Sequence, residues 1–384
     1  MQEVIFFLGN MGDLCWAELQ AVLGSAVNLQ RLDQRLASAK LQPDFDIKSL
    51  QKKLGGTIKI GKLIKKLPQE TEASTINYQL IEYLVSLGQA KVYFALGELG
   101  RDHLEPLDSR WLKARLEENG LKVRFAATSR RGAGAALLLH QAKWVELLVT
   151  NTPDRILITH TLSVQDIDDW SYRDRAKPYS DHKKGMLPPK LARMMINLAG
   201  PSKQPRRLYD PFCGSGTLLL EAAVMGNYEL CGSDLDVKAV IGTGENLDWL
   251  RQAYHLEAPA RLFTRDVTAV RVPDLGGQKV DLIVSEPFLG RQTPRDEQLP
   301  GVFRGLQKLY WGAFRTWTQL LVPGARLVIV FPRVTARDGS VYTLDHLLDK
   351  LMSLGYNKKS QDLIYARDQA TVQREICVFE WQKN

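Results

Sequence analysis

Apolar residues recur along this chain in two rhythms. In the first 165 positions they come as short runs broken by polar turns. EVIFFL (3–8) reads as a buried strand, and residues 11–24 carry apolar side chains at helical spacing. A Gly-punctuated strand, LGGTIKIGKLIKKLP, fills 54–68, and shorter strands are predicted at 91–96, 122–126, 143–149 and 155–160. Helical patterns fall at 75–87, 108–119 and 133–140, so this half reads as α+β. From about residue 204 the rhythm becomes regular. Strands at 206–209, 229–233, 260–264, 280–284 and 326–331 alternate with helices at 216–225, 237–252, 303–321 and 343–354. That alternation predicts a doubly wound α/β sheet. The closing segments, 361–367 and 374–381, have no helix between them and predict an antiparallel hairpin at one sheet edge. Residues 166–190, rich in Asp, Arg, Tyr, Lys and Pro, read as a linker between the halves.

Composition narrows this picture only modestly. With 384 residues, 45% hydrophobic and 24% charged, the chain can bury real cores and fill two or three domains. The net charge of +8 favours a polyanionic partner, yet it is spread evenly. Residues 1–165 hold 21 basic and 17 acidic side chains and the remainder 30 and 26, so a nucleic-acid surface would have to be a patch. Cys15, Cys213, Cys231 and Cys377 show no paired spacing, which argues against a zinc site or a disulfide framework, and no metal is expected. The start lacks a charged segment leading into a long apolar stretch, and no apolar run reaches the roughly 20 residues of a membrane span. A cytoplasmic, membrane-free protein is expected. The sequence carries no signal for an oligomeric state.

The densest chemistry lies in LYDPFCGSGTLLLEAA (208–223), where a first strand turns into a first helix. Gly214 and Gly216 let backbone N–H groups approach a ligand, and the helix N-terminus favours a carboxylate. Asp210 can accept from an ammonium group. A ligand with both groups is an amino acid rather than a pyrophosphate, which points to S-adenosylmethionine. In CGSDLD (231–236), Asp234 stands where a carboxylate accepts ribose hydroxyls, while Asp236 suits a helix cap. In TRDVT (264–268), Asp266 can accept from the adenine amino group or serve as a solvated loop acid.

The fourth strand of this half ends in DLIVSEPFLG (281–290). Together with VQDID (164–168), YRDRAKPYSDHKKGMLPPKLARMMINLAG (172–200), DPFCGSG (210–216) and REICVF (374–379), it resembles the THUMP-domain RNA methyltransferases, above all those that methylate the exocyclic N2 amine of guanosine 10 in tRNA. KLGGTIKIGKLI (53–64) is similar to the ferredoxin-like module that accompanies THUMP domains, and KVRFAATSRRGAGAALLLHQ (122–141) to the THUMP core. The resemblance implies an α/β Rossmann-fold (class I) methyltransferase domain over 191–384, preceded by a ferredoxin-like module (1–70), a THUMP-like domain (71–163) and a linker (164–190). It implies that Gly185, Met186 and Leu187 close over the methionine end of the cofactor, and that the THUMP part grips the 3′ acceptor end of tRNA.

One departure stands out. The family usually ends this strand in Asp/Asn-Pro-Pro-Tyr/Phe, whereas this chain reads Glu286-Pro287-Phe288-Leu289 before Gly290. The resemblance makes Glu286 and Pro287 the acceptors for the target amine, and Phe288 the ring available to a flipped base. For RNA contact the candidates are Lys59, Lys62, Arg124, Arg130, Arg131, Arg173 and Arg175, set against the plainer reading of a solvated basic face. Three alternatives remain open on sequence alone. They are an RNA-binding protein with altered or lost transfer, a methyltransferase for another RNA or base, and a DNA amino-methyltransferase.

Overall fold

Runs of β-branched and aromatic residues in the first half assemble into one sheet, and the alternating runs of the second half into another. The computed structural model describes the chain apart from residues 26, 101–106, 127, 130, 142, 182–185, 203, 292, 367–369 and 384. It forms two units, Met1–Gly12 with Leu23–Asp169, and Asp13–Val22 with Trp170–Asn384. No helix among the described residues is long and apolar enough to cross a membrane.

The first unit is built on β1 (Gln2–Leu8), β2 (Leu29–Arg31), β3 (Leu36–Leu41), β4 (Thr57–Pro68), β5 (Lys91–Leu99), β6 (Lys122–Ala126), β7 (Trp144–Asn151) and β8 (Arg155–Val164). They form a single sheet in the order β2-β3-β1-β4-β8-β7-β5-β6, antiparallel except where β5 meets β6 and β7. The expected module boundary at 70/71 is therefore no break in the sheet, because β4 pairs with β8 along most of its length. Apolar residues at four-residue spacing in the helix Ala73–Ser86 (Ile76, Leu80, Leu84) pack against Phe94, Leu147 and Ile158. Sequence reading missed β2, β3 and the short helix Ile47–Lys53, whose polar residues hide the pattern.

In the second unit, β9 (Arg206–Asp210), β10 (Tyr228–Asp234), β11 (Ala260–Thr264), β12 (Val280–Ser285) and β13 (Leu321–Thr335) are parallel, in the order β11-β10-β9-β12-β13. Order reverses at β9, which places a topological switch point at the carboxyl ends of β9 and β12, the place where ligands bind such sheets. The expected terminal hairpin is present in modified form. β14 (Val341–Tyr342) and β17 (Val372–Trp381) run antiparallel to β13, with β15 (Tyr356–Lys358) and β16 (Ile364–Tyr365) along the other side of β17. The long helix Leu299–Leu320 buries Phe303, Leu306, Tyr310, Phe314 and Trp317 against Ile329, Phe331 and Phe379. Each such side chain contributes about 1.5–3 kcal/mol. Cys377 lies in that core.

The expected linker is structured. A helix, Ile167–Arg175, fills its first part, and residues from 170 onward belong to the second unit. The cause is a buried charge cluster. Glu221, on the helix Thr217–Met225 that leaves the glycine turn, accepts from Arg173 Nε at 2.6 Å and from Arg193 Nη2 at 2.6 Å. The Trp170 ring faces both guanidiniums, 4.4 and 5.2 Å from its centroid. Further on, Lys177 Nζ donates to Thr217 Oγ1 at 3.2 Å. Asn246 brackets the Tyr179 backbone at 2.8 and 2.9 Å, and the Tyr179 ring sits so close to Gly242 that an added Cβ would meet it at 2.1 Å. Glu221→Ala leaves two buried guanidiniums without their carboxylate and should cost the second unit about 3–5 kcal/mol. Chemical denaturation followed by tryptophan fluorescence measures this, and a loss under 1 kcal/mol would show the cluster to be dispensable.

Candidate active site

Three carboxylates converge at the carboxyl ends of the central strands: Asp210 ends β9, Asp234 ends β10, and Glu286 follows β12. Each sits where strand pairing stops and the chain turns away. Asp210 is 1% exposed. Its Oδ1 accepts from Ser285 Oγ at 2.6 Å and from the Phe212 backbone N–H at 3.2 Å. Burial pushes its proton affinity up to about 7 against those two hydrogen bonds, and the charges of Asp234 and Glu286 add to the rise.

The glycine turn between Asp210 and the next helix is shaped by backbone conformation. Gly214 and Gly216 adopt φ of 54° and 78°, and a Cβ on Gly216 would meet Thr243 Cγ2 at 2.8 Å. The turn is also pinned. Gly214 donates its N–H to Asp234 Oδ2 at 3.0 Å, Thr243 Oγ1 donates to Gly214 O at 2.9 Å, and Asn246 Nδ2 donates to Ser215 O at 2.8 Å. The Gly214 amide expected to face a ligand is thus held by Asp234, which also accepts from Asp236 N at 3.0 Å. Cys213 is buried and its thiol is pushed well up by that burial, which leaves it no nucleophilic character. Asp236 caps its helix as expected, through Lys238 N at 3.0 Å.

The other expected site residues divide. Asp266 is exposed and its Oδ1 accepts from Thr268 N and Oγ1 at 2.8 and 2.7 Å, contacts that lower its proton affinity. Leu187 is buried and Met186 half-buried, just ahead of the helix Pro189–Leu198. Gly185 lies outside the described residues, as does Arg130. Pro287 is buried and Phe288 is 59% exposed. Glu286 is engaged in a contact not legible in the sequence, as Arg374 of β17 donates to its Oε1 through Nε. Ser285 and Arg374 are the site residues that sequence reasoning passed over. The one signal was position, Ser285 next to Glu286 and Arg374 at the head of the REICVF segment.

Two basic candidates are corrected. Lys59 is buried, donating to Glu146 Oε1 at 2.6 Å and to Ala133 O at 3.1 Å, because its place in β4 turns it inward. Arg173 is consumed by Glu221 and Trp170. Lys62, Arg124, Arg131 and Arg175 remain exposed. Of the linker aromatics, Tyr172 packs on Trp249, ring centroids 5.2 Å apart.

Residues 177–336 match the model of the RMKL-like methyltransferase domain. A tRNA (guanine(10)-N2)-dimethyltransferase of Methanothermobacter thermautotrophicus is 32% identical over 194 residues, 48% of each chain. A probable tRNA (guanine(10)-N2)-dimethyltransferase of Methanothermococcus thermolithotrophicus is 33% identical over 117 residues, 30% of this chain and 70% of that one. The crystal structure of TrmN from Thermus thermophilus superposes with a TM-score of 0.53 over 99% of this chain and 100% of that one, at 19% identity, a likeness of fold. The chain spans about half the length of the first curated relatives it matches.

The raised Asp210 carries a pH signature. Its folded value lies above the unfolded one, so its contribution to stability is fully present below 3.8, the ordinary value for an aspartate, and is lost as pH rises through about 7. The cost above that pH is on the order of 4 kcal/mol. Asp210→Asn, uncharged throughout, should therefore raise the denaturation midpoint at pH 8 far more than at pH 5. A difference that does not change with pH would show that the carboxyl is not held protonated.

Proposed function

The chain belongs to the family of tRNA (guanine-N2)-methyltransferases, and from that premise we propose that it transfers a methyl group from S-adenosylmethionine to the exocyclic N2 amine of a guanosine in tRNA, a position-10-like site. The observation that carries this reading is the convergence of Asp210, Asp234 and Glu286 around the pinned glycine turn at the sheet's switch point.

The residues present fit the cofactor. A buried carboxyl with its proton affinity raised to about 7 is one that an arriving ammonium would return to its charged form. In front of Gly214 the Cβ position is open, the nearest atom being Phe212 O at 3.9 Å, so any side chain there would occupy the space before the turn. Asp210 would hold the amino-acid end, Asp234 the ribose, Asp266 the adenine amine, and Met186 and Leu187 would cover the methionine end. When bound, the cofactor supplies an electrophilic methyl carbon.

The chain's own part is position and charge. Glu286 orients the target amine through its second carboxylate oxygen and, with the Pro287 carbonyl, holds the amine lone pair in line for attack. The bound cofactor would supply the methyl group, and the amine proton would leave to Glu286 or to water. Phe288, more than half exposed, is available as a ring for a flipped base. In the first unit we assign the THUMP-like role, grip on the acceptor end of tRNA, to the exposed Lys62, Arg124 and Arg131, with Arg175 in the second unit adding phosphate contact. A cytoplasmic setting follows from a tRNA substrate.

Incubation of the protein with labelled S-adenosylmethionine and an unmodified tRNA pool, followed by nucleoside analysis, should place label in N2-methylguanosine. Label in another nucleoside would keep the enzyme and move the target; absence of label with cofactor bound would favour an RNA-binding module. Glu286→Ala should lower transfer at least about 100-fold while sparing cofactor affinity, within the usual range for a positioned acid–base group. Full turnover in that variant would remove Glu286 from the mechanism.

A further inference from the structure

The departure from the family's Asp/Asn-Pro-Pro-Tyr/Phe ending gains a partner in the fold. Glu286 is one methylene longer than the usual acid, and its extra reach is taken up by Arg374. Strand register explains how they meet. Ser285 of β12 is level with Ile329 of β13, and Arg374 of β17 stands opposite Pro332, three residues further toward the carboxyl end of β13. Arg374 therefore stands just past the carboxyl end of β12, the level that the chain reaches at Glu286. The Tyr365 ring lies beside the Arg374 guanidinium, 5.9 Å from its centroid.

The pair is only partly covered, with Arg374 and Glu286 side chains 14% and 16% exposed. Arg374 Nε bonds Glu286 Oε1, and among the described residues neither Glu286 Oε2 nor the Arg374 Nη groups have another hydrogen-bond partner. A half-buried acceptor and a half-buried donor thus lie side by side at the carboxyl end of β12, each with capacity unspent. Such groups are costly to leave unmade and selective once matched.

The pattern matches one base edge. The Watson–Crick edge of guanine offers the N2 and N1 hydrogens to an acceptor and, next to them, O6 to a donor. Adenine offers N1 as an acceptor where Glu286 needs a hydrogen, and an amine where Arg374 needs an acceptor. Glu286 alone would tolerate any exocyclic amine. We propose that Glu286 and Arg374 together read the Watson–Crick edge of the target guanine, with Arg374 donating to O6 and so determining base specificity. This rests on the guanine-N2 reading above, and goes beyond it in assigning the discrimination to a residue outside the Glu-Pro-Phe-Leu segment.

The test begins with the guanosine that the label identifies. A transcript carrying 2-aminopurine at that one position keeps the N2 amine, loses O6 and turns N1 from a donor into an acceptor, the N1 change being common to the native protein and to every Arg374 variant. The native protein should favour guanine over 2-aminopurine by at least about 100-fold in kcat/KM, as sites built to hydrogen-bond a substrate group do. Arg374→Ala should bring that ratio to within about tenfold, through loss on the guanine transcript and little change on the other. Arg374→Lys keeps the charge beside Glu286 but not the planar fork, and should fall between them. Melting temperature and S-adenosylhomocysteine affinity report whether each variant is folded. A native ratio in folded Arg374→Ala would overturn the proposal and leave Arg374 a structural tether. If Arg374→Ala does not fold, a native ratio in Arg374→Lys would overturn it equally. Absence of N2-methylguanosine with the native protein is a different failure, that of the guanine-N2 reading itself.

Discussion

The Glu221 carboxylate is the constraint on which the rest of the second unit depends. It is 1% exposed and shared by Arg173 and Arg193, with the Trp170 ring against both. Taking these charges out of water is costly, and only near-ideal pairing offsets it, so the energetic balance of such a cluster is small. Its consequence is positional. Glu221 lies one turn into the helix that leaves the glycine turn, Arg173 lies in the Asp/Arg/Pro-rich segment, and Arg193 in the helix beyond it. One side chain thereby fixes three stretches of chain around the cofactor turn. It allows Lys177 to reach Thr217 and Tyr179 to settle on Gly242.

The site then has to manage like charge. Asp210, Asp234 and Glu286 converge because all three strands run in the same direction, and the charges of the other two raise the cost of ionising Asp210. The fold answers differently for each. Asp234 is satisfied by backbone N–H groups of Gly214 and Asp236. Glu286 is matched by Arg374. Among the described residues Asp210 has a hydroxyl and one amide as its partners, and it is left with a raised proton affinity. The deepest acid is therefore the one least satisfied by the protein itself, a property suited to a group that awaits a cationic ligand.

The first unit shows the same economy of buried charge. Lys59, Glu146 and Thr161 form a closed set inside the sheet, Thr161 Oγ1 donating to Glu146 Oε2 at 2.5 Å, and Ala133 N to Oε1 at 2.6 Å. A lysine that looks like one of a basic run thus serves to hold the 131–134 segment against the sheet, while Lys62, three positions on, stays in solvent. Charge counted along the chain overstates the surface available to RNA, because alternate residues of a strand face opposite ways.

Local chemistry was enough for much of this protein. Strands β9 to β13, the glycine turn at Gly214 and Gly216, the cap at Asp236 and the grouping of Asp210, Asp234 and Glu286 at strand ends are all encoded within a few residues of one another, in apolar period and turn type. β3 and the helix inside the expected linker escaped because their stability comes from packing rather than from their own pattern. What tertiary structure alone decided is partnership. Arg173 finds Glu221 across 48 positions, Lys59 finds Glu146 across 87, and Arg374 finds Glu286 across 88. A charged residue has the same character in the sequence whether it ends in solvent or in a buried pair. The difference is made by strand order and register, which set who stands opposite, and by the desolvation cost that requires every buried charge to have a partner.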